Sequence, residues 1–328
     1  MVKQRFLGKT GFSVSEIGLG CWQLGGDWGA LKSGQAEDIL SAAQESGVTF
    51  WDTADVYGAG DSEVYIGKFN QQHPNPDRVI VTKAGRTAEL YPDHYQRDRL
   101  KTAIEQSRER LQVDALDLLQ LHCIPFDELK RGDVFEWLQE FQQEGLIKYY
   151  GASVETVEEA LYCINHANVA TLQIIFNLFR QDPNQELLTH AQDANVGIIV
   201  RLGLASGLLS GKMSANTVFP TEDHRNFNKD GEAFNVGETF SGLPFNKGVE
   251  LAEELKQFLP ENMTLAQMAL RWLLDHPAVS SVITGASRGE QIRANAEVSS
   301  LPPLGDDLHQ KLAEFYQTQV RPHVRGSI

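Results

Sequence analysis

Cysteine is scarce in this chain of 328 residues: Cys21, Cys123 and Cys163 are all it has. Three is an odd number, and the spacings form neither a CxxC pair nor a metal-ligand pattern. A disulfide scaffold and a cysteine-held metal are therefore set aside, and a reduced, cytoplasmic protein with no metal is expected. Long apolar runs are absent too. Nothing approaches the roughly 20 residues of a membrane helix, and Met1-Val2-Lys3-Gln4-Arg5 leads into no signal-type stretch. Positive charge is in short supply, with 29 Lys and Arg against 44 Asp and Glu and a net charge of −15. A surface this acidic repels phosphate backbones and anionic lipid, so neither nucleic acid nor membrane is an expected partner. A local basic pocket remains compatible with it. Finally, there is no GxxxxGK[ST] loop and no GxSxG elbow, and Gly18-Leu19-Gly20 runs into Trp22-Gln23 without a third glycine at the required spacing.

What is present is rhythm. Short apolar runs that end in Gly, Asp, Ser or Thr recur at 16–19, 48–52, 79–83, 115–122, 148–153, 171–176, 197–202 and 281–284, as buried parallel strands do. Amphipathic stretches fill the intervals, and Thr156 with Glu159 reads as a capped helix start. Eight strand–helix units without a Pro/Gly-rich linker predict an α/β fold, a closed (β/α)8 TIM barrel in one domain over 1–328. Leu7-Gly8-Lys9-Thr10-Gly11-Phe12-Ser13-Val14 predicts an N-terminal β-hairpin. A long polar segment after strand seven, 213–246, carries Phe219, Phe227, Phe234, Phe240 and Phe245 and is read as a cover over the site.

In a parallel barrel the reactive groups sit where strands end. Those positions hold Asp52 with Tyr57, Lys83, His122, Ser153, Gln173, Arg201 and the segment 285–295. Singly, each has an ordinary explanation, His122 as a core histidine for example. Jointly, Asp, Tyr, Lys and His follow strands two, two, three and four and converge on one mouth. A tyrosine with a pKa near ~10 becomes a better proton relay beside an ammonium, which favours the phenolate. Asp52 would hold Lys83 and compensate its burial. Such a set polarises a carbonyl without a nucleophile and brings no electrons, which implies a bound cofactor.

Trp51-Asp52-Thr53-Ala54-Asp55-Val56-Tyr57-Gly58 followed by Ser62-Glu63 resembles the signature of the aldo-keto reductases. Further matches are Val81-Thr82-Lys83, the run Leu116 to His122, Gly145-x-Ile147-x-Tyr149-x-Gly151-x-Ser153 and Gly207-Leu208-Leu209-x-Gly211-Lys212. The resemblance implies a (β/α)8 barrel reducing aldehydes and ketones with NADPH, NADH being the alternative, and a small-molecule carbonyl substrate. By position, Tyr57 resembles the general acid, Lys83 the residue lowering its pKa, Asp52 the lysine's partner and His122 the substrate-orienting group. The cofactor would lie along Gly20, Trp22, Asp52, Ser153, Gln173, Arg201, Gly203, Leu204 and Ser206. Gly285, Ser287, Arg288, Gln291 and Asn295 match the stretch that holds the adenosine half. Arg288 is suited to a 2′-phosphate, and the free N–H groups of the helix opening there suit an anion.

This chain departs from the pattern at Val154, where the family has asparagine, and at Arg201, where it commonly has a stacking aromatic. Leu202-Gly203 replaces a Ser-Pro pair, and Gly285 and Gln291 replace basic residues. Trp22, Trp28, Tyr57, His122 and Cys123 are expected to shape the substrate pocket, with Arg321, His323 and Arg325 as candidates from the tail. Two other functions are kept in view: a cofactor-binding regulatory or sensor subunit, and a lyase using a Schiff base on Lys83.

Overall fold

The alternating apolar residues that mark the strands in the sequence become the inner and outer faces of one closed sheet. In the computed structural model, residues 2–26, 31, 32 and 34–328 are described. A hairpin of β1 (Gln4–Phe6) and β2 (Ser13–Ser15) comes first. Eight parallel strands follow: β3 (Ile17–Gly20), β4 (Phe50–Asp52), β5 (Val79–Ala84), β6 (Leu116–His122), β7 (Ile147–Ser153), β8 (Thr171–Ile175), β9 (Gly197–Arg201) and β10 (Val279–Gly285). They close in the order β10-β3-β4-β5-β6-β7-β8-β9, each strand beside its neighbour in sequence. This is the (β/α)8 barrel expected, with the hairpin and the long segment after the seventh barrel strand in their expected places. Strand ends differ from the sequence reading by at most two residues.

Helices pack outside the barrel, and the main apolar core lies between the two layers. The helix Val157–His166 starts with the expected capping box: Glu159 N–H donates to Thr156 Oγ1, and the Glu159 carboxylate accepts from Thr156 N–H. A second, smaller cluster fills the lower barrel: Phe50, Val79, Val81, Leu118 and Ile199, closed from below by Leu7 and Val14 of the hairpin region. The hairpin can seat this deeply because Gly8, at φ +50°, lies against the backbone of Gly197 and Ala170, where a Cβ would come within 2.3 Å of Gly197 N.

Strand period two then decides what lies above. Two residues on from Phe50, Val81, Leu118 and Ile199 come Asp52, Lys83, Gln120 and Arg201, so the same inward faces turn from apolar to polar towards the C-terminal mouth. Among the described residues, no helix is long and apolar enough to cross a membrane.

Candidate active site

At that mouth, Lys83 is 1% exposed and Asp52 2%. Their ion pair is short, Nζ to Oδ1 2.6 Å, and Lys83 also donates to Thr53 O at 2.8 Å and to the Tyr57 hydroxyl at 3.2 Å. The other Asp52 oxygen accepts from Gln173 Nε2 at 2.7 Å, and the same amide donates to Gln120 Oε1 at 3.0 Å. Asp52 therefore ties β4 to β5 on one side and to β8 across the barrel. Tyr57 is half-buried, its ring edge-on to His122 with centroids 5.8 Å apart.

The loop that carries Tyr57 is held by the rest of its motif. Thr53 Oγ1 donates to Ser62 Oγ, and Ser62 Oγ donates to Cys21 O. Glu63 accepts from Thr82 Oγ1 and Arg110 Nε. Two glycines let the loops after β3 and β4 touch: Gly58 has φ +61°, and a Cβ on it would lie 2.5 Å from Gly25 O. A Cβ on Gly25 would lie 2.5 Å from Gly58 N. That contact brings the Trp22 and Tyr57 rings into a stack at 5.9 Å.

Burial sets the protonation states. It pushes Tyr57 up to about 12, with Lys83 pulling the other way. The expected lowering by Lys83 is thus present but outweighed, because the phenolate would be desolvated and would face Asp52. Burial works against the Lys83 charge as well, yet Asp52 and Tyr57 overcome it and hold the ammonium above its ordinary range. Burial raises the Asp52 carboxyl, opposed by Lys83 and the Gln173 hydrogen bond. His122 is driven well below the usual histidine range by burial and by Arg86, Lys83 and Arg201, so its imidazole is neutral.

These groups open into a cavity of about 630 Å³. Of the residues singled out in the sequence, Trp22, Asp52, Tyr57 and His122 line it at the reactive end. Gly20, Ser153, Gln173 and Arg201 adjoin them, Gly203, Leu204 and Ser206 continue one wall, and Gly285, Ser287 and Gln291 form the far end. Lys83 stands behind Tyr57, and Cys123 behind Ser153, with Sγ 3.4 Å from Ser153 Oγ. Arg288 and Asn295 lie outside the lining, Arg288 being the exposed N-cap of the helix Gly289–Glu297. Trp28 falls outside the described residues.

Two expectations change. The first N–H of the helix at 289 is already taken, Gly289 N–H donating to Asp38 Oδ2 at 2.9 Å, and in the loop before it Ser287 N–H donates to Gln291 Oε1 at 2.8 Å. An acidic side chain already complements that helix end. The tail residues do not line the cavity either. Arg321 pairs with Asp182, and Arg325 donates to Gly242 O and pairs with Asp230, clamping the long segment from outside. That segment does reach the site, through Met213, Arg225, Phe227, Phe234 and Glu238. Phe219, Phe240 and Phe245 pack on one another instead.

Sequence reasoning missed Arg86, Glu238, Gln23 and Lys212, which also line the cavity. Lys212 closes a quoted motif and could have been found there. Three buried polar atoms of lining residues, Gln23 Oε1, His122 Nδ1 and Arg201 Nε, have no hydrogen-bond partner among the described residues.

Residues 16–317 match the sequence model of the aldo/keto reductase family. The chain belongs to that family. Its membership makes the protein an oxidoreductase of the aldo/keto reductase kind. It is 30% identical over 301 residues to aldo-keto reductase YhdN of Bacillus subtilis (strain 168), covering 88% of this chain and 86% of that one. Among solved structures, it resembles aldo-keto reductase AKR11C1 from Bacillus halodurans in its holo form, at TM-score 0.77 and 26% identity over 96% of each chain. It also resembles the glycerol dehydrogenase AKR11B4 from Gluconobacter oxydans, at TM-score 0.79 and 25% identity over 99% of this chain and 98% of that one.

Proposed function

We propose that this aldo/keto reductase reduces an aldehyde or ketone to the alcohol with a bound nicotinamide dinucleotide, NADPH ahead of NADH, and that Tyr57 is its general acid. One observation carries the reading: the Tyr57 hydroxyl opens on the cavity while bonded to a buried Lys83–Asp52 pair, with neutral His122 beside it. The holo AKR11C1 relative supports a cofactor in this fold.

The cavity suits the dinucleotide in its donor set. Its lining is polar at the reactive end, and its unpartnered atoms belong to Gln23, His122 and Arg201. Ser153, Gln173 and Arg201 would hold the nicotinamide end. Gln173 spends its N–H donors on Asp52 and Gln120, which leaves its carbonyl oxygen to accept from a carboxamide. Leu204, Ser206 and Lys212 would follow the diphosphate, Lys212 with its charge, and Gly285, Ser287, Arg288, Gln291 and Asn295 the adenosine half. The dinucleotide supplies the hydride when bound.

The chain's own part is the proton. With a pKa of about 12, Tyr57 stays protonated at neutral pH and donates to the carbonyl oxygen as it becomes an alkoxide. Lys83, 3.2 Å away, stabilises the phenolate left behind, and Asp52 keeps that ammonium charged and in place. His122, neutral, donates a hydrogen bond to the same carbonyl oxygen and fixes its direction.

The test is a fluorescence titration with NADPH and NADH in parallel, followed by 4-nitrobenzaldehyde and the loss of reduced-nicotinamide absorbance. Binding with turnover is expected. Binding without turnover would overturn the reductase reading in favour of a cofactor-sensing subunit, and no binding would overturn both.

A further inference from the structure

The reductase chemistry leaves Arg86 and Glu238 of the cavity lining unused, and they sit beside Arg201, whose other face was given to the nicotinamide end. Arg86 follows β5, three residues past Lys83, and Arg201 ends β9. Both line the cavity with Tyr57, His122 and Trp22. Two guanidiniums beside a carbonyl site make a receptor for an anion, because Arg presents fork donors matched to a carboxylate. The long segment fills that receptor with its own carboxylate. Glu238, 7% exposed, accepts from Arg86 Nη2 at 3.0 Å through Oε1, and its Oε2 lies 3.7 Å from Arg201 Nη1.

The placement is built. Glu238 ends a single 3-10 turn, Val236–Glu238, capped by Asn235, whose Oδ1 accepts from Gly237 N–H. Asn235 Nδ2 donates to Glu155 Oε2, and Glu155 Oε1 accepts from Arg86 Nη2. Arg201 is further fixed by donating to Val154 O at 3.1 Å. Despite its burial, Glu238 is held below the usual carboxylate range by Arg86 and Arg201 and neutralises one of the two guanidiniums. Burial and Glu238 raise Glu155 to about 7, so Glu155 offsets the second only in part.

We propose that Arg86 and Arg201 form an anion site in the substrate half of the cavity, that Glu238 occupies it, and that Glu238 thereby restricts the enzyme to uncharged carbonyl substrates. A carboxylate-bearing aldehyde meets Glu238 where it needs the arginines, and like charges at that range repel. Neutral carbonyls lose nothing from the arrangement. Glu238 is a specificity-determining residue in this account and has no part in proton transfer.

The inference rests on the reductase reading, and two measurements separate their failures. The first compares 4-carboxybenzaldehyde with 4-nitrobenzaldehyde in wild type and Glu238→Gln. The ratio of kcat/KM, carboxylate over nitro, is expected to rise by about tenfold or more, one charge-assisted hydrogen bond being worth roughly that factor. Turnover of 4-nitrobenzaldehyde is expected to stay within about threefold, as a residue making no transition-state contact requires. The second is calorimetric titration with benzoate, which needs no turnover. Benzoate is expected to bind Glu238→Gln about tenfold tighter than wild type, and the gain is expected to vanish in Glu238→Gln with Arg86→Met. Glu238→Asp keeps the charge but shortens its reach; it gives an intermediate gain and serves if the glutamine variant misfolds. An unchanged aldehyde ratio together with unchanged benzoate affinity would overturn the anion site. Wild type that turns over neither aldehyde would sink the reductase reading, while the benzoate titration still decides the site.

Discussion

The lower and upper halves of the barrel interior are built on the same inward faces of the same strands, yet they do opposite things. Below, Phe50, Val79, Val81, Leu118 and Ile199 meet Leu7 and Val14 in an apolar plug. Above, Asp52, Lys83 and Gln120 are as deeply enclosed, and Arg201 at the rim somewhat less so, but all are polar or charged and each is held by named partners. The plug lowers free energy through contact and burial, which any well-fitting side chain supplies. The mouth spends free energy on desolvation and recovers it only through specific geometry. Stability and chemistry are therefore separable along the barrel axis, although not around it.

Substitutions at the two levels test that separation, and Tyr57→Phe should cut deepest. It removes the proposed proton donor and leaves the ring's packing on Trp22 and His122, so the rate of reduction should fall by about 10²–10⁴. NADPH binding and melting temperature should stay near those of wild type, and single-turnover rates beside a fluorescence titration check both. A Phe50→Ala change at the lower level should show the reverse pattern. A fully buried phenylalanine truncated to alanine costs about 3–5 kcal/mol, read as a shift in urea midpoint. KM for substrate should not move in the fraction that remains folded.

The third prediction sharpens the comparison through pH. Burial, reinforced by Glu63, raises Asp55 in the loop below Tyr57 to about 7, against an unfolded value near ~3.9. Because the folded state binds this proton more tightly, its stabilising contribution is present below pH ~4 and lost as pH rises through 7. Asp55→Asn has no such proton to lose. Its melting temperature relative to wild type should therefore improve from pH 5 to pH 8, by an amount worth a few kcal/mol. An unchanging difference would mean that the carboxyl ionises as it does in water.

The smallest effect is expected farthest from the two levels. Arg288→Ala should weaken NADPH more than NADH, by about tenfold for one charge-assisted contact to the 2′-phosphate. Asp38, bonded to the neighbouring Gly289 N–H, opposes a phosphate there and keeps the preference modest. Equal losses for both cofactors, measured by parallel titration, would assign Arg288 a structural role.

The lower level and the strand frame were legible in the sequence, because buried parallel strands leave short apolar runs that polar loops interrupt. So were Asp52, Tyr57, Lys83 and His122, since a barrel sends its strand ends to one mouth. Other features needed three dimensions. The partners Arg86 and Glu238 lie 152 residues apart, and Glu238 sits in a segment with no periodicity to mark it as buried. The effect of Lys83 on Tyr57 was anticipated in direction. Its defeat by burial depends on how tightly Trp22 and the loops close over the ring, which spacing does not encode. Asp38 at the helix end was invisible for a similar reason: it comes from a different helix, 251 residues from Gly289.

The contact of Gly25 with Gly58 has an evolutionary consequence. A misfit between two side chains can be repaired by a second change, one growing as the other shrinks. Here each missing Cβ would strike the other residue's backbone, which no substitution can trim. A lineage that replaces either glycine gives up the Trp22–Tyr57 stack in a single step and finds no compensating mutation at the partner position. The placement of Tyr57, on which its proposed chemistry depends, is therefore guarded by two residues that have no side chain to contribute.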